Sequence, residues 1–131
     1  MKGSCLCGAV AYEVDQFSGP IAHCSCVTCR KAHGAAFTTT APALRAHFRF
    51  TRGAEHVASF RSSPDKARYF CPSCGTHLVA MRDGQPNVIV RVASLDEDPG
   101  LRAQFHIWTS HEVPWLDYRN VPRFEAWQPG R

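Results

Sequence analysis

Cys71-Pro72-Ser73-Cys74-Gly75 contains two cysteines at a spacing from which a tight turn can direct both thiolates to one metal ion. A second pair, Cys5-Leu6-Cys7, lies near the start of the chain and precedes Gly8. Residues two apart in an extended chain face the same side, so these two sulfurs can also meet at one point. Glycine after each pair can adopt positive φ and lets the backbone fold closely around the sulfurs.

Together the two pairs complete a closed tetrahedron, which is the usual form of a structural zinc site. Buried free thiols or a redox pair are the alternatives, and two chelating pairs favour metal over both. Such a site would join distant strands. We therefore predict a structural zinc ion on Cys5, Cys7, Cys71 and Cys74.

A cysteine triplet, Cys24-Ser25-Cys26-Val27-Thr28-Cys29, offers three thiolates within six residues, and no fourth cysteine remains. Three protein ligands with an exchangeable fourth position are typical of catalytic zinc. A closed site completed by His33 or by the adjacent His23 is the competing interpretation. Spacing alone leaves both open.

Length and composition predict one globular domain over residues 1–131, since a chain of this length suits a single core and 44% of its residues are hydrophobic. The odd number of cysteines, seven, fits a disulfide framework poorly and favours a reducing, cytoplasmic setting. We find no apolar run of the roughly 18 to 20 residues that would span a bilayer, so we expect no membrane partner.

The formal net charge of +4 does not by itself indicate a nucleic-acid partner. Seven thiolates and two Zn²⁺ ions would bring the charge to about +1. Lysine and arginine are scattered along the chain rather than clustered, so we expect no nucleic-acid binding.

Alternating apolar residues predict a mainly β, mainly antiparallel fold. Strands are expected around Val10 to Val14 and Phe48 to Phe50, and at residues 57–60, 68–70, 77–81, 88–93 and 105–109. Hairpin turns are expected at residues 51–53, 62–65 and 83–86, and short helical turns at residues 26–32 and after Ser94. Residues 113–131, which carry three prolines and two tryptophans, are expected to be irregular.

The sequence resembles the glutathione-dependent formaldehyde-activating enzyme family, which also includes centromere protein V. The resemblance runs over residues 3–124 and is carried by four main segments: Gly3-Ser4-Cys5-Leu6-Cys7-Gly8-Ala9-Val10, His23-Cys24-Ser25-Cys26-Val27-Thr28-Cys29-Arg30-Lys31, Phe70-Cys71-Pro72-Ser73-Cys74-Gly75-Thr76 and Ser94-Leu95-Asp96.

This resemblance implies two zinc ions, a structural one on the two cysteine pairs and a catalytic one on Cys24, Cys26 and Cys29. The implied fold is a β-tent, in which compact antiparallel sheets are pinched by zinc. The implied reaction condenses a small thiol, glutathione, with an aldehyde, formaldehyde, to S-hydroxymethylglutathione, and the enzyme is classed as a carbon-sulfur lyase for the reverse direction.

Other side chains are candidates for supporting roles, each with a structural alternative. Arg30 and Lys31 would attract a substrate carboxylate or form a solvated basic turn. Candidates for proton transfer, or for structural hydrogen bonds, are His23, His77 and His106. Candidates for a substrate cleft, or for core packing, are Trp108, Trp115 and Trp127.

Two other functional classes are alternatives to a thiol–aldehyde condensing enzyme. A non-catalytic zinc-binding module with a protein or nucleic-acid partner would need only two closed zinc sites. A thiol redox enzyme would use the triplet, but the strand-to-helix setting of a thioredoxin-type motif is not evident around it.

Overall fold

The computed structural model describes residues 1–117 and 119–130. In these ranges the chain forms ten strands and one α-helix. The strands are β1 (Lys2–Ser4), β2 (Ala11–Val14), β3 (Ile21–Cys24), β4 (Thr38–Leu44), β5 (Phe48–Arg52), β6 (Ala58–Ser63), β7 (Lys66–Phe70), β8 (His77–Arg82), β9 (Asn87–Arg91) and β10 (Ala103–Ile107), and the helix is α1 (Val27–His33). No helix of the described ranges has the length and apolar character needed to cross a membrane.

The strands form two sheets, which confirms the mainly β prediction. The small sheet has the order β1-β2-β5, and the large sheet has the order β10-β3-β4-β9-β8-β7-β6. Within the large sheet β6 to β9 form a meander in which neighbouring strands are antiparallel. The pair β10 and β3 is parallel, which the antiparallel prediction did not include.

Several local predictions need correction. The turn at residues 51–53 is not a hairpin, because β5 lies in the small sheet and β6 in the large one. The helical turn expected after Ser94 is a 3₁₀ turn, Val92–Ser94, that ends at this residue. Strands β1, β3 and β4 were missed, since short or threonine- and alanine-rich segments carry little hydrophobic alternation.

The helical turn expected at residues 26–32 corresponds to α1, and the hairpins at residues 62–65 and 83–86 join β6 to β7 and β8 to β9. The irregular C-terminal segment agrees with the described residues 113–117 and 119–130, which contain turns and bends and neither helix nor strand. Tyr118 and Arg131 lie outside the described residues.

The hydrophobic core lies between the two sheets. Val10, Tyr12 and Val14 of the small-sheet side pack against a buried group from the large sheet: Ala43, Leu78, Val79, Val88 and Val90. The Tyr12 hydroxyl shares a hydrogen bond of 2.8 Å with the buried Ser94 hydroxyl, which satisfies its polar end inside the core. Cys5 and Cys71, the first cysteines of the two pairs, both belong to this core cluster.

The other face of the large sheet carries two charged side chains beside apolar ones. Tyr69 pairs with Val79, and Val79 pairs with Val90, on the core face, so the neighbouring Arg68 and Arg91 point to the opposite face. Helix α1 contacts β4 on the large sheet. Both arginines are nonetheless 3% exposed, so the far face of this sheet buries two guanidinium groups.

We predict that Gly3→Ala lowers the free energy of unfolding by about 1 to 3 kcal/mol, as overpacking in a core does. A Cβ at Gly3 would lie 2.3 Å from Cζ of Tyr12, and this ring is buried and held by the Ser94 hydrogen bond. Denaturant unfolding measures the loss. Lys2→Ala, an exposed change in the same strand, is the control and should stay within about 0.5 kcal/mol of wild type. Equal stability of both variants would contradict the packing argument.

Candidate functional site

The four-cysteine cluster is built by two similar turns. The chain leaves β1 at Cys5 and turns so that the Gly8 N–H donates to the Cys5 carbonyl oxygen at 2.9 Å. After β7 the Gly75 N–H donates to the Cys71 carbonyl oxygen at 2.8 Å. Gly8 and Gly75 have φ values of 75° and 76°, which lie in the left-handed region that favours glycine.

These turns bring together the sulfurs of Cys5, Cys7, Cys71 and Cys74, all within 4.8 Å of one another. The Sγ atoms of Cys5 and Cys7 are 3.5 Å apart, and those of Cys7 and Cys71 are 3.8 Å apart. Four thiolates around a tetrahedral ion with bonds of about 2.3 Å would be separated by about 3.8 Å. The donor set and its spacing therefore fit a metal ion of this kind.

Protonation within this cluster is uneven. Contact with Thr76 lowers the pKa of the Cys74 thiol to about 5. A backbone hydrogen bond with Ala9 favours the Cys7 thiolate, but the neighbouring thiols of Cys5 and Cys74 outweigh it and raise the pKa of Cys7 to about 11. Closely spaced thiols cannot all ionise unless a cation offsets their charge, so the cluster is suited to bind one.

The triplet lies where β3 ends and α1 begins. Cys24 is the last residue of β3, and the next residue, Ser25, is buried and donates its N–H to the Ile107 carbonyl oxygen at 3.1 Å. Cys26 caps the helix, with its Sγ accepting the Cys29 N–H at 3.3 Å. The sulfurs of Cys24, Cys26 and Cys29 lie within 4.8 Å of one another, with Cys26 the most exposed of the three.

Neither histidine proposed as a fourth ligand joins this group. Among the described residues, no histidine nitrogen or carboxylate oxygen lies with the three sulfurs. His23 shares a hydrogen bond of 2.9 Å between its Nδ1 and the Thr39 hydroxyl. The ring of His33 lies against that of His77, with centroids 4.6 Å apart and ring planes tilted by 53°. Among the described residues the triplet thus offers three cysteine ligands, and neither candidate histidine adds a fourth.

Two buried arginines face the triplet. Nη2 of Arg68 lies 3.7 Å from Sγ of Cys29, while Nε and Nη1 of Arg68 and Nε and Nη2 of Arg91 have no hydrogen-bond partner. Burial lowers the pKa of Arg91 to about 10, so it remains charged at neutral pH. No carboxylate in the described part of the chain forms an ion pair with either arginine, so the cysteine sulfurs are the nearest candidates to balance their charge.

Burial also lowers the pKa of His33 to about 3 and depresses that of His77, and the nearby Arg91 depresses both further. Both rings are therefore neutral at pH 7. The net positive charge on this face of the sheet comes from the arginines and not from these histidines.

A cleft adjoins the triplet. A cavity of about 320 Å³ is lined by Cys26 together with Trp108 and His111, and a second cavity of about 420 Å³ shares Thr28, Ser62 and Arg68 with it. The basic residues that line the two cavities are Lys31, Lys66, Arg68 and Arg82, and no acidic residue lines either. The cleft is therefore suited to an anionic ligand.

Trp108 has φ of 61°, which is the single positive value for a non-glycine residue in the described ranges. Its ring stacks on that of His111 at 5.2 Å, and both rings line the cavity beside Cys26. Strained backbone of this kind persists where surrounding structure holds it and is often found at binding sites.

The other candidates have different surroundings. Nε of Arg30 donates to the Ser25 carbonyl oxygen at 3.1 Å and so braces the loop between two triplet cysteines, whereas Lys31 lines the larger cavity. His106 lies 3.9 Å from Glu112 and lines a separate cavity with Ser25. The tryptophans are not packed in the core, since Trp108, Trp115 and Trp127 are 55%, 70% and 65% exposed.

Three residues that line the cleft were not predicted from the sequence: Arg68, Lys66 and His111. Arg68 and Lys66 share one face of β7 just before Cys71, and this period-two pair of basic residues was the available signal. His111 carried none, because only the turn after β10 brings it next to Cys26.

Comparisons with known proteins agree with this geometry. The family model described as "Glutathione-dependent formaldehyde-activating enzyme" matches residues 1–111. A protein of Halomonas elongata, provisionally named as an enzyme of this kind, is 27% identical over 125 residues, covering 89% of this chain and 80% of its own. A crystal structure of a Rhodobacter sphaeroides protein is similar with a TM-score of 0.64 and 30% identity, covering 76% of this chain and 93% of that one.

We predict that the two clusters differ in what their loss does to the fold. With Zn²⁺ supplied as the probe, Cys74→Ser should lose one metal equivalent and lower the unfolding midpoint by about 10 °C or more, because its cluster joins distant segments. Cys26→Ser, the matched control, should lose one equivalent with a smaller change, since its cluster lies within one short segment. Zinc content and calorimetry measure both. An unchanged midpoint in Cys74→Ser would refute the stabilising role.

Proposed function

Because the chain belongs to the glutathione-dependent formaldehyde-activating enzyme family, we propose that it adds a small thiol to an aldehyde at a zinc ion held by Cys24, Cys26 and Cys29. Glutathione and formaldehyde are the leading pair, and S-hydroxymethylglutathione is the product. The observation that carries this proposal is the triplet of sulfurs with no fourth protein ligand among the described residues, placed at the wall of a basic cleft.

Under this proposal the chain is a single zinc-binding domain over residues 1–131 with two ions. The closed cluster of Cys5, Cys7, Cys71 and Cys74 would hold a structural zinc ion, which suits its position at the edge of the core. We place the protein in the cytoplasm, because seven free thiols persist in a reducing compartment.

A zinc ion at the triplet would supply Lewis-acid chemistry, lowering the pKa of a thiol that takes the open position. The chain then has to balance charge. Three thiolates and one Zn²⁺ sum to about −1, whereas Arg68 and Arg91 contribute two positive charges to the same buried region. An anionic ligand, such as a thiolate, brings this region to neutrality, so the buried arginines favour binding of the deprotonated thiol.

The cleft also contains a group that can accept the proton of the thiol. Nδ1 of His111 is buried without a hydrogen-bond partner, and the ring lines the cavity with Cys26. Histidine is the side chain that most often acts as a general base in enzymes. His111 is better placed for this role than His23 or His106, whose cavity and contacts lie elsewhere.

The reaction balances without a further reactant. The S–H bond breaks and its proton passes to His111, the sulfur forms a bond to the carbonyl carbon as the C=O π bond breaks, and the oxygen becomes a hydroxyl by taking that same proton back from His111. The reverse reaction breaks the same carbon-sulfur bond, which is why the activity would be that of a carbon-sulfur lyase.

We predict that the wild-type protein with zinc on the triplet exchanges free glutathione with its hydroxymethyl adduct faster than the spontaneous reaction. Exchange NMR at fixed pH measures the rate. Samples without protein and with Cys26→Ser are the controls, and both should give the uncatalysed rate.

Equal rates in all samples, with zinc confirmed on the wild-type triplet, would reject the formaldehyde activity. Thiol binding at that zinc without acceleration would leave an enzyme with a different electrophile. No thiol binding at all would favour the non-catalytic zinc-binding module with a protein or nucleic-acid partner.

We further predict that His111→Gln lowers the maximal exchange rate by about 100-fold while leaving thiol affinity within about twofold, because it removes the proton acceptor and no zinc ligand. His56→Gln changes an exposed histidine outside the cleft and is the control, with wild-type kinetics expected. Loss of affinity in step with the rate would argue for a structural role of His111.

A further inference from the structure

Two of the three guanidinium nitrogens of Arg68 have no hydrogen-bond partner, although the side chain is buried. Its side chain is 3% exposed, Nη2 lies 3.7 Å from Cys29 Sγ, and Nε and Nη1 have no hydrogen-bond partner. A buried charged donor that lacks a partner costs free energy that the fold must otherwise supply. The contact with Cys29 involves one guanidinium nitrogen, Nη2, and it leaves the other two nitrogens without a hydrogen-bond acceptor.

Arg68 lies at the junction of two cavities. Arg68 lines both the cavity of about 320 Å³ beside Cys26 and the one of about 420 Å³ next to it. A molecule with its thiol at the triplet can therefore reach Arg68 with its other end. The Thr28 and Ser62 side chains line both cavities as well and add polar groups at the same junction.

The charged side chains around Arg68 favour a negatively charged ligand. Lys66 shares its face of β7, and Lys31 approaches from α1, and neither forms an ion pair with a carboxylate of the described residues. Arg82 is different, because Asp65 pairs with it. Three basic side chains without an acidic partner thus converge on a cleft that has no acidic lining residue.

We propose that Arg68, supported by Lys31 and Lys66, binds a carboxylate group of the thiol substrate, so that the cleft selects carboxylate-bearing thiols over neutral ones. Arg68 is in this account a specificity-determining residue: the carboxylate accepts hydrogen bonds from its unpartnered nitrogens while the thiol occupies the triplet. The thiol half of this inference rests on the proposed function, whereas the carboxylate half rests on the cleft alone.

The first test compares two thiols that differ only in charge, 3-mercaptopropionate and 3-mercaptopropionamide. Affinity for the triplet is measured from the absorption of the Co²⁺-substituted protein. Wild type should prefer the carboxylate by about tenfold or more. Arg68→Gln should weaken binding of both thiols, because it removes a charge beside the triplet, but it should weaken binding of the carboxylate by about tenfold more and so abolish the preference. Arg102→Gln, which alters an exposed arginine outside both cavities, should keep the full preference.

A second measurement uses no thiol and detects binding on the wild-type protein. The ¹⁵N–¹H resonance of the Arg68 Nε–H, in wild-type protein, should shift saturably on addition of propionate and stay in place with propionamide or an equal concentration of chloride. Its assignment comes from Arg68→Lys, in which that resonance is missing.

The outcomes separate the two proposals. If propionate shifts the resonance but no thiol binds at the cobalt ion, the carboxylate site stands and the proposed function fails. If thiols bind but the carboxylate is not preferred, or the resonance responds to chloride as much as to propionate, the carboxylate site is rejected and Arg68 serves only to balance the triplet.

Discussion

Four sulfurs from two distant segments converge at the edge of the hydrophobic core. Cys7 and Cys71 lie 64 positions apart, yet their sulfurs are 3.8 Å from each other. This contact ties the small sheet to the end of β7, and Cys5 and Cys71 are themselves core residues. Ionised sulfurs at such distances repel one another, so a cation shared among them would turn this contact into an attraction between the two sheets.

The second cluster depends on the opposite kind of compensation. Arg68 and Arg91 are buried without a carboxylate partner in the described residues, and the sulfurs of the triplet are the nearest groups that can be negative. The arginines thus favour ionised sulfurs, and the sulfurs in turn make burial of two guanidinium groups tolerable. Removing either side would leave the other as an isolated buried charge.

The sequence predicted most of what depends on local spacing. Both cysteine clusters, the positive φ of Gly8 and Gly75, α1 and the hairpins of the meander follow from residues close together in the chain. It could not predict what depends on pairing over long distances. The parallel contact of β10 with β3 and the burial of Arg68 each result from strand order, and an arginine in an alternating strand reads as solvent-facing until the other face is known to be covered.

The parallel edge strand β10 is the last strand in the described sequence, so it is synthesised after every other strand of the two sheets. The triplet cysteines and the two pairs are all translated by Cys74, whereas β10 pairs with β3 only after residues 103–107 have been made. Trp108 and His111, which line the cavity beside Cys26, follow that strand. A nascent chain therefore acquires every cysteine sulfur well before the last wall of its cleft. Truncation in this late segment would yield a chain with both cysteine clusters but an unfinished cleft.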